Sequence, residues 1–473
     1  QAEILNGTHT HRRIVTRCGR RVGKCLNGDS EILTENGPIK IRELYNMNTL
    51  PQVATFDTKS QAIKLTPFYD VQSNGVKPVY KVQTKTGRVN YATGNHPYLI
   101  LDENGKLNWI EIDNMLPGDK IAVPKSYSGL IEGKPVGVKL SRLLGYLTGD
   151  GGTSSTSTVK FTNFDDLIVN DIKTIALEYG CLVKEEKAGN YYITGTKWHE
   201  NKVLDISREH GLQGKLAIEK EIPQAIMAGT EEDIVNFLGA YWDCDGWLSI
   251  QSKNYDSSHK VLKSEIGICS SSEKLARGVQ HLLLRLGISS LLKQKKVKYK
   301  EETRIAWQVT IQDSSNQLTF INKIPLLAKD YKKKQLLNLI QQRNCTDNRS
   351  IDSIPKEIFG YVKNRQAELG LNNMQVCGAN SRSEGARLRT CYNVSRSKLK
   401  EYAKNLDDSY LDKLASNDIL WDEVISIEYI GEQETYDLTV PETSTLIADD
   451  IISHNTETMC VHMLWYSFTH ENS

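Results

Sequence analysis

The sequence predicts a mixed fold: an all-β unit assembled from both ends of the chain, and an α+β unit of two pseudo-twofold halves inserted between them. Three observations predict it. Short alternating strand patterns separated by turns lie near the ends, from residue 25 to about 44 and again from 436 to 455. Two helix-patterned segments, at 143–151 and 238–246, align without a gap. Each is followed by a strand, a helix and a glycine, which reads as a diverged internal repeat. With 473 residues the chain exceeds the size of one hydrophobic core, so two to four domains are expected.

Composition narrows the class. Apolar content of 39%, charged content of 25% and a formal charge of +1 describe an ordinary globular chain, so any nucleic-acid surface must be local. No run of about 18 apolar residues occurs, and the first residues lack a basic-then-apolar leader pattern. A cytoplasmic protein without a membrane partner is expected. The nine cysteines are odd in number and form no C-x-x-C pair, which argues against a disulfide framework or a zinc site. Reducing surroundings also suit a reactive thiol.

The first element is a strand-like run, Ile14 to Cys18, that leads into Gly19-Arg20-Arg21-Val22-Gly23-Lys24. Such a strand and loop match the start of a phosphate-binding loop, which ends Gly-Lys-Ser/Thr because the hydroxyl holds Mg²⁺. Position 25 is Cys. The missing hydroxyl stands at Thr456, which heads a segment, Thr456 to Leu464, that reads as the helix such a loop feeds. Joining Lys24 to Thr456 restores Gly23-Lys24-Thr456. These flanks resemble the loop of a phage terminase large subunit, although Cys18 takes the place of the usual first Gly. They are too short to form a nucleotide-binding domain, so no ATPase activity is expected of this chain.

Between the flanks, Cys25-Leu26-Asn27-Gly28-Asp29-Ser30 opens the first strand pattern, Thr93-Gly94-Asn95-His96 follows, and Ser453-His454-Asn455-Thr456 closes the last. In this order the three blocks resemble those of inteins, whose Hint fold is a horseshoe-like all-β splicing domain. The resemblance implies cofactor-free excision of residues 25–455, with the flanks as substrate. The chemistry has its own logic. Cys25 Sγ lies next to the Lys24 carbonyl, and attack there exchanges an amide for a thioester if the departing nitrogen receives a proton. His96 is the candidate donor, and Thr93 positions the junction. Thr456 would then take the acyl group, Asn455 would cyclise through its side-chain nitrogen with help from His454, and a final shift would leave a Lys24–Thr456 peptide bond. Asp437, carried over from the family, would coordinate the two transfers. The sequence departs from a common family pattern at Ser444, where many members place His.

The middle of the chain carries Leu143-Leu144-Gly145-Tyr146-Leu147-Thr148-Gly149-Asp150-Gly151 and Leu238-Gly239-Ala240-Tyr241-Trp242-Asp243-Cys244-Asp245-Gly246. Apolar residues at 140, 143, 144 and 147 repeat at 234, 237, 238 and 241, so both motifs are expected as helices. Gly145 and Gly149, facing Ala240 and Cys244, form small-x-x-x-small rows that let two helices approach closely. Side by side, they would bring Asp150 and Asp245 together, with Gly151 and Gly246 as C-caps. The pair resembles the twin motifs of LAGLIDADG homing endonucleases. That resemblance implies a pseudo-twofold monomer that cuts double-stranded DNA with Mg²⁺ held by Asp150 and Asp245. Lys220 resembles the family's lysine beside the scissile phosphate. Lys293, Lys295, Lys296 and Lys298, on a strand-like stretch, are expected to contact DNA phosphates.

The expected divisions are a flank at 1–24, β-unit parts at 25–127 and 421–455, an endonuclease and DNA-recognition region at 128–420, and a second flank at 456–473. Residues 314–420, helical and basic, have no fold assignment. Three other readings compete: an intein whose nuclease only binds DNA, a Hint protein that cleaves without ligating, and a plain P-loop NTPase. The missing hydroxyl disfavours the last. The presence of Asn455 and Thr456 disfavours cleavage alone.

Overall fold

The computed structural model describes residues 15–18, 24–197, 200–254, 260–299, 302–342, 352–378, 392–455 and 460–463. Both ends of the inserted sequence enter one sheet. Its order places Ile451–His454 between Pro97–Leu101 and Thr445–Ala448, while Leu26–Asn27 pairs with Val89–Thr93 and with the long strand Ile419–Thr439. That long strand runs antiparallel to Asp70–Thr84 from Thr84 opposite Val424 to Asp70 opposite Thr439. The first and last residues of the insert can meet only because strands distant in sequence pair this way.

The hairpin that delivers the last strand turns at Asp449 and Asp450, with φ of 51° and 58°. Two left-handed residues make the tight turn whose twist matches antiparallel strands, and Asp tolerates that conformation better than most side chains. One face of the sheet buries Leu26, Ile32, Val82, Tyr98, Val424 and Leu446 together. The other packs Leu33, Phe56, Leu99 and Ile452 against the helices Ile358–Glu368, Arg396–Leu406 and Ser409–Ser416. The range 128–420, expected as one region, is thus shared between two cores: the helices after residue 353 cover the β unit.

The inserted unit holds α1 (Val138–Gly149), α2 (Asp166–Glu178), α3 (Glu231–Asp245) and α4 (Glu273–Arg285). After α1 comes a sheet of Gly151–Gly152, Val159–Thr162, Asn190–Gly195 and Cys181–Lys187 in that spatial order. After α3 the sheet is Gly246–Asn254, Lys260–Ser270, Glu302–Ile311 and Leu291–Tyr299. The two halves therefore share one element order. Leu143, Leu144, Leu147, Ile234, Phe237, Leu238 and Tyr241 are all buried in a single core, as the helical spacing requires. That core also takes Phe320, Leu336 and Ile340 from the helices Ser314–Lys323 and Asp330–Gln342.

Thr230 caps α3 by accepting the Asp233 amide on its hydroxyl oxygen, and the Asp233 carboxylate accepts the Thr230 amide in return, a reciprocal box. Asp233 also accepts from the amides of Val136 (3.0 Å) and Gly137 (2.8 Å) at the start of α1, tying the two helix starts together. Downstream, a methyl group on Gly145 would lie 2.9 Å from Ala240 Cβ, and one on Gly149 would lie 2.5 Å from Cys244 Cβ. The small rows are therefore where the helices touch. Gly246 is the C-cap of α3, extended at φ −82° and not left-handed, whereas α1 is capped by Asp150 and not by Gly151. Each glycine lies where a side chain would strike the preceding helix, Gly151 against Leu147 and Gly246 against Trp242.

In the flanks, Cys460–Met463 is a strand paired antiparallel with Val15–Cys18, in place of the helix expected over 456–464. A phosphate-loop helix starts from a continuous Gly-Lys-Thr turn. Residues 25–455 stand between Lys24 and Thr456 in this chain, and the described flank segments, Val15–Cys18 and Cys460–Met463, pair with each other. Gly23 and Thr456 lie outside the described residues. No described helix is long and apolar enough to cross a membrane.

Candidate active site

Cys25 is wholly buried just before the short strand Leu26–Asn27. Its backbone N–H, the nitrogen of the Lys24–Cys25 amide, donates to Thr93 Oγ1 at 2.9 Å, and the Thr93 amide donates to the Cys25 carbonyl at 3.0 Å. Thr93 therefore grips the nitrogen that would depart. The thiol receives Asn74 Nδ2 and Lys77 Nζ, each at 3.2 Å. Burial pushes the Cys25 thiol up, Lys77 opposes that rise, and the charge of Asp437 adds to it. Asp437 lies half-buried on the 419–439 strand opposite Gln72.

His96 is buried in the turn after Thr93, with its amide bonded to the Thr93 carbonyl at 2.8 Å. Its ring stands edge-on to Tyr98, and both ring nitrogens lack a hydrogen-bond partner among the described residues. Burial, then the charges of Lys24 and His454, push its pKa down to about 3. A neutral imidazole that resists charging holds a proton only briefly. Once protonated, it is a strong donor.

At the other junction Asn455 is fully buried, and its amide donates to the Ser444 carbonyl at 2.8 Å. Ser444 sits at a left-handed φ of 53°, so this position, where many relatives of the resembled family place His, acts here through its backbone. His454 packs edge-on against Trp109, with ring centroids 4.8 Å apart. Lys24 Nζ reaches His454 Nδ1 at 2.7 Å and donates to the Asn455 carbonyl at 2.9 Å. An ammonium only donates, and the Asn455 carbonyl oxygen only accepts, so Lys24 Nζ is the donor to that oxygen. His454 Nδ1 lies 2.5 Å from the same Asn455 oxygen, so ring nitrogen, ammonium and carbonyl oxygen form one cluster.

The fold thus brings Cys25, Thr93, His96, Asp437, His454 and Asn455 into one region. Sequence reasoning missed Asn74, Lys77, Trp109 and the side-chain role of Lys24. No spacing marks the first three, because each is delivered by strand register alone. It also missed the support under the last hairpin. Asp449 accepts from the Glu31 amide (2.8 Å) and Asn90 Nδ2 (2.7 Å), and Asn90 in turn accepts from Tyr98 Oη at 2.5 Å. Asp450 accepts from Tyr127 Oη at 2.9 Å and contacts His281 Nδ1 of α4 at 3.0 Å, so the inserted unit touches the strand that ends in Asn455.

A second polar cluster forms where α1 and α3 end. Asp150 accepts from Asn163 Nδ2 at 2.5 Å. Asp245 is solvent-accessible but crowded; those surroundings first, and the charge of Asp150 second, push its pKa up to about 6, while Lys220 and Lys329 oppose the rise. Lys220 is buried and donates to the carbonyls of Leu147, Thr148 and Gly151 at 2.9–3.0 Å. Burial lowers its pKa and the two aspartates resist. Two mutually repelling carboxylates are a hard-oxygen donor set that suits a divalent cation such as Mg²⁺. Among the described residues no group of three or more His, Cys, Asp or Glu adds to it, so water or phosphate oxygens would complete such a site.

The expected lysine ridge divides. All four lysines are exposed on Leu291–Tyr299, but Lys293 pairs with Gln308, which pairs with Cys269, whereas Lys296 and Lys298 point to the opposite face. Burial raises the Cys269 thiol, Lys295 lowers it and Asp245 raises it, so Lys295 and Asp245 face the same side. On the corresponding face of the other sheet, Lys160 Nζ lies 4.8 Å from the Tyr192 ring centroid. The sequence treats the four lysines as one ridge because clustering ignores the two-residue period of a strand.

The model of the intein splicing domain family matches residues 32–455. The chain is 28% identical over 455 residues to the replicative DNA helicase DnaB of Rhodothermus marinus, spanning 92% of this chain and 46% of the relative. It is 27% identical over 425 residues to the replication factor C small subunit of Methanocaldococcus jannaschii, spanning 85% of this chain and 21% of the relative. The chain spans about half the length, or less, of the curated relatives it matches. Among solved structures it is similar to the Ssp DnaB mini-intein variant M86, with a TM-score of 0.29 at 11% identity over 93% of this chain and 98% of that one. With a family model covering nearly all of the inserted sequence up to Asn455, the chain belongs to the intein splicing domain family, built on a Hint-like fold, and its activity is autocatalytic protein splicing.

Proposed function

We propose that residues 25–455 excise themselves and join Lys24 to Thr456, and that the inserted unit cuts double-stranded DNA. The observation that carries the first part is the meeting of both junctions: Lys24, Cys25 and Asn455 share one buried region although about 430 residues separate them in sequence. In this reading Cys25 Sγ attacks the Lys24 carbonyl. Thr93 holds the departing amide nitrogen, and His96 moves the proton to it. Asp437, close to the thiol, steers the change from thioester to the Thr456 ester. Asn455 then cyclises, with His454 beside its carbonyl. Mass spectrometry of the expressed chain tests this directly. A peptide containing the Lys24–Thr456 junction is expected, and intact precursor after prolonged incubation would refute it.

The second part rests on the Asp150–Asp245 pair at the glycine-lined crossing of α1 and α3. A bound Mg²⁺ would activate water and stabilise a leaving phosphate oxygen. Asp150 and Asp245 would hold the ion, Lys220 would keep the helix ends in place beside the phosphate, and Lys293 and Lys295 would meet the DNA backbone. Lys296 and Lys298 face away and fit that role poorly. Retention of both carboxylates favours cutting over binding alone. Incubation with DNA carrying the uninterrupted host gene and Mg²⁺ distinguishes the two readings by cleavage or by a mobility shift without it.

The host is read as a P-loop protein broken at Gly23-Lys24-Thr456. A terminase-like host is supported only by the flank residues. The relatives reported above are named for a replicative helicase and a replication factor subunit, so a helicase host is an equally open reading of the same loop.

A further inference from the structure

We propose that Lys24, which belongs to the flank and not to the excised segment, supplies the oxyanion donor for breaking the second junction. This rests on the splicing reading, specifically on cyclisation of Asn455. The side chain of Lys24 is 2% exposed and crosses from the first junction to the last. Its ammonium is 2.9 Å from the carbonyl oxygen of the Asn455–Thr456 amide and 2.7 Å from His454 Nδ1. That oxygen becomes negative when the Asn455 side-chain nitrogen adds to its carbon. A cation already in place in a dry site stabilises it without reorganisation.

The surrounding groups hold this arrangement. The Ser444 carbonyl anchors the Asn455 amide at 2.8 Å, and Trp109 fixes the His454 ring edge-on. His454 Nδ1, 2.7 Å from the ammonium and 2.5 Å from the Asn455 oxygen, fills the space beside both and keeps them together. In the step itself one C–N bond forms, between Asn455 Nδ2 and its own backbone carbon. One breaks, between that carbon and the Thr456 nitrogen. The proton lost by Nδ2 is balanced by the one gained by the Thr456 amine, and Lys24 keeps its charge throughout.

This arrangement also links the order of events. The donor belongs to the segment being transferred, so it stays at the second junction as long as the first flank remains attached. Loss of that flank by premature hydrolysis removes the donor and slows a cleavage that would no longer lead to ligation.

The test isolates each junction in the full chain. In a Cys25→Ala background only Asn455 cyclisation releases the C-terminal flank. In an Asn455→Ala background, dithiothreitol releases the N-terminal flank through the Cys25 thioester. Lys24→Met keeps the length of the side chain without its charge. It is expected to slow C-terminal release about tenfold or more, by analogy with loss of one oxyanion donor, whereas thiol-induced release should be unslowed or faster, because the charge that helps hold His96 down is gone. Lys24→Arg should release faster than Lys24→Met. C-terminal release that is unchanged or faster in Lys24→Met, an equal slowing at both junctions, or an arginine variant as slow as the methionine one would each overturn the proposal. If instead the parent backgrounds release neither flank, the splicing reading itself fails.

Discussion

The two polar centres of this molecule solve opposite problems. At the splice centre the reacting groups are buried and uncharged: the Cys25 thiol is pushed up and His96 is held down near 3. At the ends of α1 and α3, two carboxylates and a lysine are kept together beside solvent, with Asp245 pushed up to about 6. The first centre acts on its own backbone, so substrate never has to enter and water is harmful, because it would hydrolyse a thioester. On the proposed reading the second faces outward because its phosphodiester and cation would come from outside. Dryness suits an intramolecular acyl transfer, and stored like charge suits a metal site.

The largest effects should therefore be separable. Cys25→Ala is expected to abolish ligation of the flanks and leave Mg²⁺-dependent DNA cleavage intact, whereas Asp150→Asn should reduce cleavage by about 10³ or more and leave splicing unchanged. Gel analysis of flank ligation and plasmid linearisation on the same preparations reads both. Loss of both activities from either change would show the centres to be one cooperative machine, a possibility raised by the His281–Asp450 contact.

Next in size is a change at the helix crossing. Gly145→Val places branched carbon where even a methyl would meet Ala240 Cβ at 2.9 Å. Overpacking of this kind costs about 1–3 kcal/mol. It acts on the core that holds Leu144 and Phe237, and not on the core beneath Cys25. A lowered urea midpoint for the inserted unit with normal splicing is the expected result. Splicing lost in parallel with stability would mean that the β unit cannot hold its shape without its insert.

The contrast also explains what could be read from sequence. The crossing helices were legible because an i, i+3, i+4, i+7 stripe and paired small residues constrain geometry locally. Cys25 and Asn455 were legible because they interrupt a recognisable loop. Lys77, Asn74 and Trp109 were not, since strand register alone carries them to the site, and register across residues 70–84 and 419–439 includes shifts that no local pattern encodes. The helix expected over 456–464 failed for a related reason: its Cys460–Met463 part is a strand set by pairing with Val15–Cys18, more than 430 residues away in sequence, which no local pattern encodes. Residues 353–418 gave no signal of which core they would join, because an amphipathic helix does not name its partner.

A smaller effect concerns a charged group that donates to the nucleophile. Lys77 lies 3.2 Å from Cys25 Sγ and counters the rise that burial imposes. Lys77→Met removes that counterweight, so the thiol pKa should climb further. The pH profile of thiol-induced release in an Asn455→Ala background should move upward by about one unit, a roughly tenfold slowing near neutrality. A profile that stays in place would make Lys77 a packing residue.

The smallest effect tests stored charge itself. Asp245 in the folded chain titrates near 6 instead of at the ordinary 3.8, so between those values the native state binds more protons than the unfolded one. By linkage, stability falls as pH rises through that window and stays lower above it. Solvent reaches Asp245, so the loss is damped to about 1 kcal/mol or less. Asp245→Asn removes the charge and should raise the urea midpoint at pH 7 in chelator, with no gain at pH 3.5, while cleavage is lost. Cys25→Ala, which removes no charge, should shift the midpoint equally at both pH values. A gain from Asp245→Asn that is the same at both would locate the strain in shape, and the distinction between a dry centre with an uncharged nucleophile and an open centre of like charges would lose its electrostatic basis.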